Sequence, residues 1–200
     1  MKDYLLELAS QQTNSYNKLN VMREYLQAYA IRVLFEEGAF RKFPKLQFEA
    51  GISSFPEQNI SIKVEIDTNP PLGAQTQSHI INKYFPLSFI SYDVPSLVAG
   101  KIHALLSRKY TKGRDYFDLG WYLSRWKEIT PNFTLLINAL KQTHYSGIYP
   151  TPENWRHILI NTIQKINWKI VIDDFQYFLE NPSDLSVFTK DNLLKLLKKI

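Results

Sequence analysis

Residues 94–123 read VPSLVAGKIHALLSRKYTKGRDYFDLGWYL. Asp93 and Pro95 open a helix there, and its apolar spacing carries it to about Lys109. Gly113 interrupts the pattern, and a second helix is expected to begin near Asp115. The stretch therefore predicts a helix–turn–helix hairpin.

At about 100° per residue, Leu97, Val98, Ile102, Leu105 and Leu106 form the expected buried stripe of the first helix. Lys101 and Arg108 are seven residues apart. On an ideal helix they project about 20° apart and about 10.5 Å apart along the axis. Both lie at the stripe margin, with the small Ala104 between them. That pattern is a cradle for an anion, or two basic side chains snorkelling to water. Asp115 suits a helix cap, and Asp118 lies near the positive end of the same helix. Arg114 is placed to pair with either acid. If these charges face a cleft shared with Lys101, the acids become a base or an orienting group for the lysine.

Working outward, ISIKVEID (60–67) alternates without a fault. Ile60, Ile62, Val64 and Ile66 point one way; Ser61, Lys63, Glu65 and Asp67 point the other. A half-buried strand is expected, ended by the prolines at 70 and 71. Glu65 and Asp67 then share a face with Cα atoms about 7 Å apart. Two carboxylates so placed suit a divalent cation, or a solvated face balanced by Lys63. A short strand is expected near Leu46 to Phe48, and another from Leu87 to Tyr92. Residues 17–37 predict an amphipathic helix through Leu19, Met22, Leu26, Tyr29 and Val33. Beyond residue 126 the start signals all belong to helices. Thr130-Pro131, Thr151-Pro152-Glu153 and Thr189 precede apolar runs. The expected fold class is α+β, a small mixed sheet flanked by helices with a helical C-terminal half. The expected division is 1–125 and 126–200.

Composition narrows the function classes. The 200 residues carry 24 Lys and Arg against 19 Asp and Glu, a net charge of +5, which permits an anionic partner without requiring one. Cysteine is absent, which excludes disulfides and thiolate metal sites. The four histidines show no zinc spacing. Neither a P-loop, a GxGxxG turn nor a G-x-S-x-G elbow occurs. The opening residues do not form a basic segment followed by an apolar one, and no apolar stretch reaches the roughly 18 residues of a membrane span. The expectation is a soluble cytoplasmic protein.

The segment from Val94 to Leu123 resembles the second half of the nucleotidyltransferase AbiEii/AbiGii toxin family. Lys101, Ala104 and Leu105 match its Lys-x-x-Ala-Leu helix. Arg108 and the run Arg114, Asp115, Asp118, Leu119 match the motif that follows. IKVEID resembles the family's acidic strand, and NSYNKLNVMREYLQAYAIRVLFEEGAF its N-terminal helix. The resemblance implies a nucleotidyltransferase fold of the DNA polymerase β type. It implies a toxin of a phage-defence toxin–antitoxin system, transferring a nucleotide from an NTP, with Mg²⁺, to a tRNA-like acceptor. The implied partner is a cognate antitoxin, a DNA-binding repressor encoded nearby. Lys101 and Asp115 are then catalytic, Arg108, Arg114 and Asp118 bind substrate, and Glu65 and Asp67 bind metal. The family's Gly-Gly-Thr or Gly-Ser turn and its Asp-x-Asp pair are absent from the 200 residues. A segment is expected to be missing near Phe40 to Phe43. Since those motifs hold triphosphate and metals, impaired transfer is expected. The second reading is a non-catalytic basic module that binds RNA or protein.

Overall fold

The computed structural model describes residues 2–36, 49–55, 67–84, 86–176, 179 and 184–198. The fold is α+β. Among the described residues it has a two-stranded antiparallel sheet and nine helices. The chain divides into two units: residues 1–68 with 80–88, and residues 69–79 with 89–200.

In the first unit, α1 (Lys2–Ser10) packs on α2 (Ser15–Glu36) through Leu5 and Ala9, which meet Met22, Tyr25 and Leu26. These positions repeat at three and four residues, so one face of each helix leaves water. Leu19, Met22, Leu26 and Tyr29 of the expected α2 stripe belong to this cluster, while the side chain of Val33 lies outside the described residues; α1 was not expected. Glu24 accepts from the Lys83 ammonium and, at 3.1 Å, from the Tyr84 hydroxyl.

The sheet is a hairpin of β1 (Thr76–Asn82) and β2 (Pro86–Tyr92). β2 fulfils the expectation for residues 87–92. β1 was not expected, because TQSHIIN lacks alternation and its residues are mostly exposed. Its strand form comes from pairing with β2. The expected strands at 46–48 and 60–66 lie outside the described residues. Asp67, described and exposed, is not in a strand.

The second unit is a helical core. It is built from α3 (Val94–Ser107), α4 (Gly113–Arg125), α5 (Phe133–Gln142), α6 (Trp155–Lys165), α7 (Trp168–Phe175), α8 (Asp184–Val187) and α9 (Lys190–Lys198). α4 lies at its centre and packs against α3, α7 and α9. Leu119 and Leu123 on α4 meet Val98 and Ile102, Val171 and Phe175, and Leu193 and Leu197 in one apolar cluster. Burying each such side chain contributes about 1.5–3 kcal/mol.

Helix starts were partly mislocated by sequence. Asp93 does cap α3, its Oδ1 accepting from Ser96 N at 2.9 Å. Thr189 does cap α9, accepting from Asn192 N at 3.2 Å. Thr130-Pro131 does precede α5, whose cap is Asn132; its Oδ1 accepts from Leu135 N at 3.1 Å. The same side chain donates to Gly73 O at 2.8 Å and Ser96 Oγ at 3.1 Å, which ties α5 to the start of α3. α6 likewise begins after Asn154, whose Oδ1 accepts from the N–H of Thr151. In both cases the threonine marks the loop before the helix. The α3 stripe is also rotated: Ser96, Val98, Ala99 and Ile102 are buried, whereas Leu97, Leu105 and Leu106 are half-buried.

Candidate active site

α3 and α4 are joined by a five-residue link, Arg108 to Lys112. The link is held by a close approach. The Gly113 N–H donates to Asp174 Oδ2 of α7 at 2.7 Å. A Cβ at Gly113 would stand 2.1 Å from Val171 O, so only glycine lets the start of α4 reach α7.

α4 begins two residues before Asp115, and Lys112 occupies its cap position without a side-chain bond. Asp115 is therefore not the cap. It sits in the first turn, buried at 5% exposure, and faces α3. There its two oxygens have separate partners. Oδ1 accepts from Lys101 Nζ at 3.2 Å, and Oδ2 is 3.0 Å from Arg108 Nη1. Lys101 Nζ also reaches Asp118 Oδ2, one turn along α4, at 2.6 Å. Asp118 is the outer acid, its side chain 39% exposed. Two cations and two anions thus form one neutral network with a buried end and a solvent end.

Arg108 reaches this network by a route that helical geometry did not anticipate. It lies beyond the last turn of α3, with extended backbone at φ −73° and ψ 137°. Its convergence with Lys101 comes from sharing Asp115. The guanidinium also lies 5.8 Å from the Tyr110 ring centroid. Ala104, Arg108, Lys109, Lys112 and Asp115 line a small cavity of about 130 Å³ beside the network. Its rim carries three cationic side chains against one carboxylate, and Ala104 supplies the space.

Burial opposes the charge on Lys101, but its bonds with Asp118 and Asp115 and their fields outweigh this and raise its pKa. Lys101 is thus held as a cation at neutral pH. Burial raises the Tyr116 hydroxyl pKa, and the Asp115 charge adds to the effect. Burial also raises the Tyr122 hydroxyl pKa; the Asp118 charge adds to this and the Lys101 charge offsets part of it.

The structure brings together four of the residues singled out in the sequence: Lys101, Arg108, Asp115 and Asp118. Arg114 lies exposed in the first turn of α4. Asp67 belongs to the other unit, and Glu65 lies outside the described residues. Asp174 and Gly113 as positioning residues were missed. The Gly113–Asp174 contact spans 61 residues and follows no local periodicity.

The acids of the hairpin do not fit Mg²⁺ as they stand. Both oxygens of Asp115 face cations, and Asp118 bonds Lys101, whereas Mg²⁺ requires oxygen lone pairs in octahedral array. Among the described residues no group of three or more His, Asp or Glu is placed to hold a metal. None of the described helices is long and apolar enough to cross a membrane.

A family model described as nucleotidyl transferase AbiEii toxin, type IV toxin–antitoxin system, matches residues 15–190. No curated protein and no solved structure matches the chain. The match covers α2 through the start of α9 and includes the whole Lys101–Asp118 hairpin. The chain belongs to the nucleotidyl transferase AbiEii toxin family, whose members are toxins of type IV toxin–antitoxin systems and imply a cognate antitoxin.

Proposed function

We propose that this chain transfers a nucleotide from an NTP to an unpaired end of a tRNA-like acceptor in the cytoplasm, and that its transfer is weak. The observation that carries the reading is the shared hold of Lys101 and Arg108 on the buried Asp115. In nucleotidyl transfer an acceptor hydroxyl oxygen gives up its proton to solvent water and bonds to the α-phosphorus, the bond to the β-phosphate oxygen breaks, and pyrophosphate leaves. Negative charge grows on the phosphoryl oxygens, and positioned cations stabilise it. Lys101 is the cation for that task. Asp115 fixes its direction from the buried side, while Asp118 on the solvent side gives up its bond to an incoming phosphate oxygen. Arg108 and the cavity lysines bind the remaining phosphate charge, and Arg114 extends that basic edge.

The family resemblance assigns Mg²⁺ to Glu65 and Asp67; the hairpin acids, whose oxygens already face cations, are not its ligands in this reading. Weak transfer follows from the absence of the glycine turn and the Asp-x-Asp pair from the sequence. Phosphoryl transfer draws most of its rate from such positioning and charge neutralisation.

The test is incubation of the full chain with labelled NTPs, Mg²⁺ and total tRNA. Slow incorporation that disappears in Lys101→Ala supports the reading. Fast incorporation retained in Lys101→Ala overturns it. Salt-dependent tRNA binding with no incorporation at any enzyme concentration replaces it with the binding-module reading.

A further inference from the structure

The C-terminal half of α4 carries aromatic side chains that the phosphoryl-transfer reading leaves unused. Asp115, Asp118 and Tyr122 are spaced by three and four residues, so they follow one face of the helix. Trp121 and Arg125 lie beside that face, and Trp126 ends the helix. The rings form a mutual cluster. Trp121 stands 5.3 Å from Tyr122 and 5.4 Å from Trp126, both edge to face, and Tyr122 is stacked with Trp126 at 6.0 Å. The Arg125 guanidinium lies 5.6 Å from the Trp126 ring centroid. Trp121 nevertheless remains 49% exposed, a large apolar face turned to water. The aromatic cluster starts three residues from Asp118, about 4.5 Å along the helix axis.

We infer that Trp121, Tyr122 and Trp126, with Arg125, form a stacking surface for unpaired bases of the acceptor RNA and lead its end to Lys101 and Asp118. The inference rests on RNA being the acceptor. An exposed indole beside a cation fits single-stranded nucleic acid, because every base offers a π face and every linkage a phosphate, and the half-buried Tyr122 and Trp126 rings back it. The edge-to-face arrangement fixes the Trp121 ring before a base arrives, which lowers the ordering cost of binding. Charge is complementary as well. Arg125 and Lys127, both exposed, flank the cluster, while the cavity of about 610 Å³ beyond it is lined by two cations and two acids, Lys127 and Arg156 with Glu128 and Glu153. In that cavity the Arg156 guanidinium lies 4.5 Å from the Trp155 ring centroid. Trp155 is buried there, so the stacking surface ends at Trp126. Duplex RNA keeps its bases stacked inside and presents no free face to this surface.

The test measures anisotropy of a fluorescein-labelled, unstructured RNA of roughly 12 nucleotides, within the span of one such surface. Wild type, Trp121→Ala, Trp121→Phe and Arg125→Ala are compared over a salt series. Trp121→Ala is expected to weaken binding about 5- to 150-fold with the salt slope unchanged, and Trp121→Phe to restore most of it. Arg125→Ala is expected to reduce the salt slope by about one. The same RNA annealed to its complement is expected to bind more weakly than the single strand. Far-UV circular dichroism confirms that each variant is folded. Equal affinity of wild type and Trp121→Ala overturns the stacking surface and leaves the RNA-acceptor reading intact. Wild type that binds no RNA overturns both. Loss of cognate-antitoxin binding in Trp121→Ala, with RNA affinity unchanged, assigns the surface to a protein and overturns it.

Discussion

Gly113→Ala tests how the site is positioned. The added Cβ would lie 2.1 Å from Val171 O and 3.1 Å from Val171 C, both backbone atoms of α7. Carbon and oxygen normally approach to about 3.3 Å, so α4 must move by roughly 1.2 Å. No rotamer change relieves a clash with backbone. The movement also stretches the 2.7 Å bond from Gly113 N–H to Asp174. Overpacking costs about 1–3 kcal/mol and a weakened hydrogen bond about 0.5–1.5 kcal/mol, for an expected loss of roughly 2–4 kcal/mol. Gly100→Ala is the internal control. It lies on α3, and its added Cβ meets no heavy atom within 4 Å. There the better helix propensity of alanine stabilises by up to about 1 kcal/mol. Urea denaturation followed by circular dichroism and tryptophan fluorescence separates the two. With a slope of about 1–3 kcal/mol per molar urea, the midpoints differ by roughly 1 M or more. If Gly113→Ala unfolds with wild type while Gly100→Ala behaves as described, the close approach of α4 to α7 is wrong. The geometry of Asp115 would then lose its support.

Three further outcomes are expected. Lys101→Ala leaves the buried Asp115 with Arg108 alone and costs about 1–3 kcal/mol, whereas Asp118→Ala, at the solvent end, costs under about 1 kcal/mol. Similar denaturation midpoints for the two variants would refute the division into buried and exposed acids. The His103 pKa is lowered from 6.5 by burial and by the Arg108 charge, partly offset by a backbone bond to Ala139. As a base with a depressed folded pKa, it favours protonation of the unfolded chain, so stability should fall as pH drops below 6.5. The fall should be shallower in His103→Gln; parallel stability curves from pH 7 to 5 would contradict this. Asn132→Ala removes the α5 cap and the bonds to Gly73 and Ser96, and should lower stability by about 1–3 kcal/mol. Thr130→Ala should leave the unfolding free energy within about 0.5 kcal/mol of wild type, as surface changes usually do.

The sequence by itself determined the helix–turn–helix hairpin, β2, the α2 stripe and the helical C-terminal region. Each follows from a period or a cap spanning a few residues, and local geometry suffices to read it. It also singled out Lys101, Arg108, Asp115 and Asp118, because charged side chains beside an apolar stripe demand an explanation. Tertiary structure alone decided how they meet. Arg108 leaves the helix and joins Lys101 through the two oxygens of one buried carboxylate, a contact that helical spacing does not encode. β1 is a strand because β2 pairs with it, and the Asn132 that caps α5 is also tied to Gly73 and Ser96, far away in sequence. Gly113 looked like a turn residue. Its necessity comes from Val171, 58 residues away, whose carbonyl occupies the space that any side chain would need. Local periodicity is set by backbone geometry and is written in neighbouring residues. Contacts across long separations depend on which surfaces the packed helices bring together, and that is settled only when the core forms.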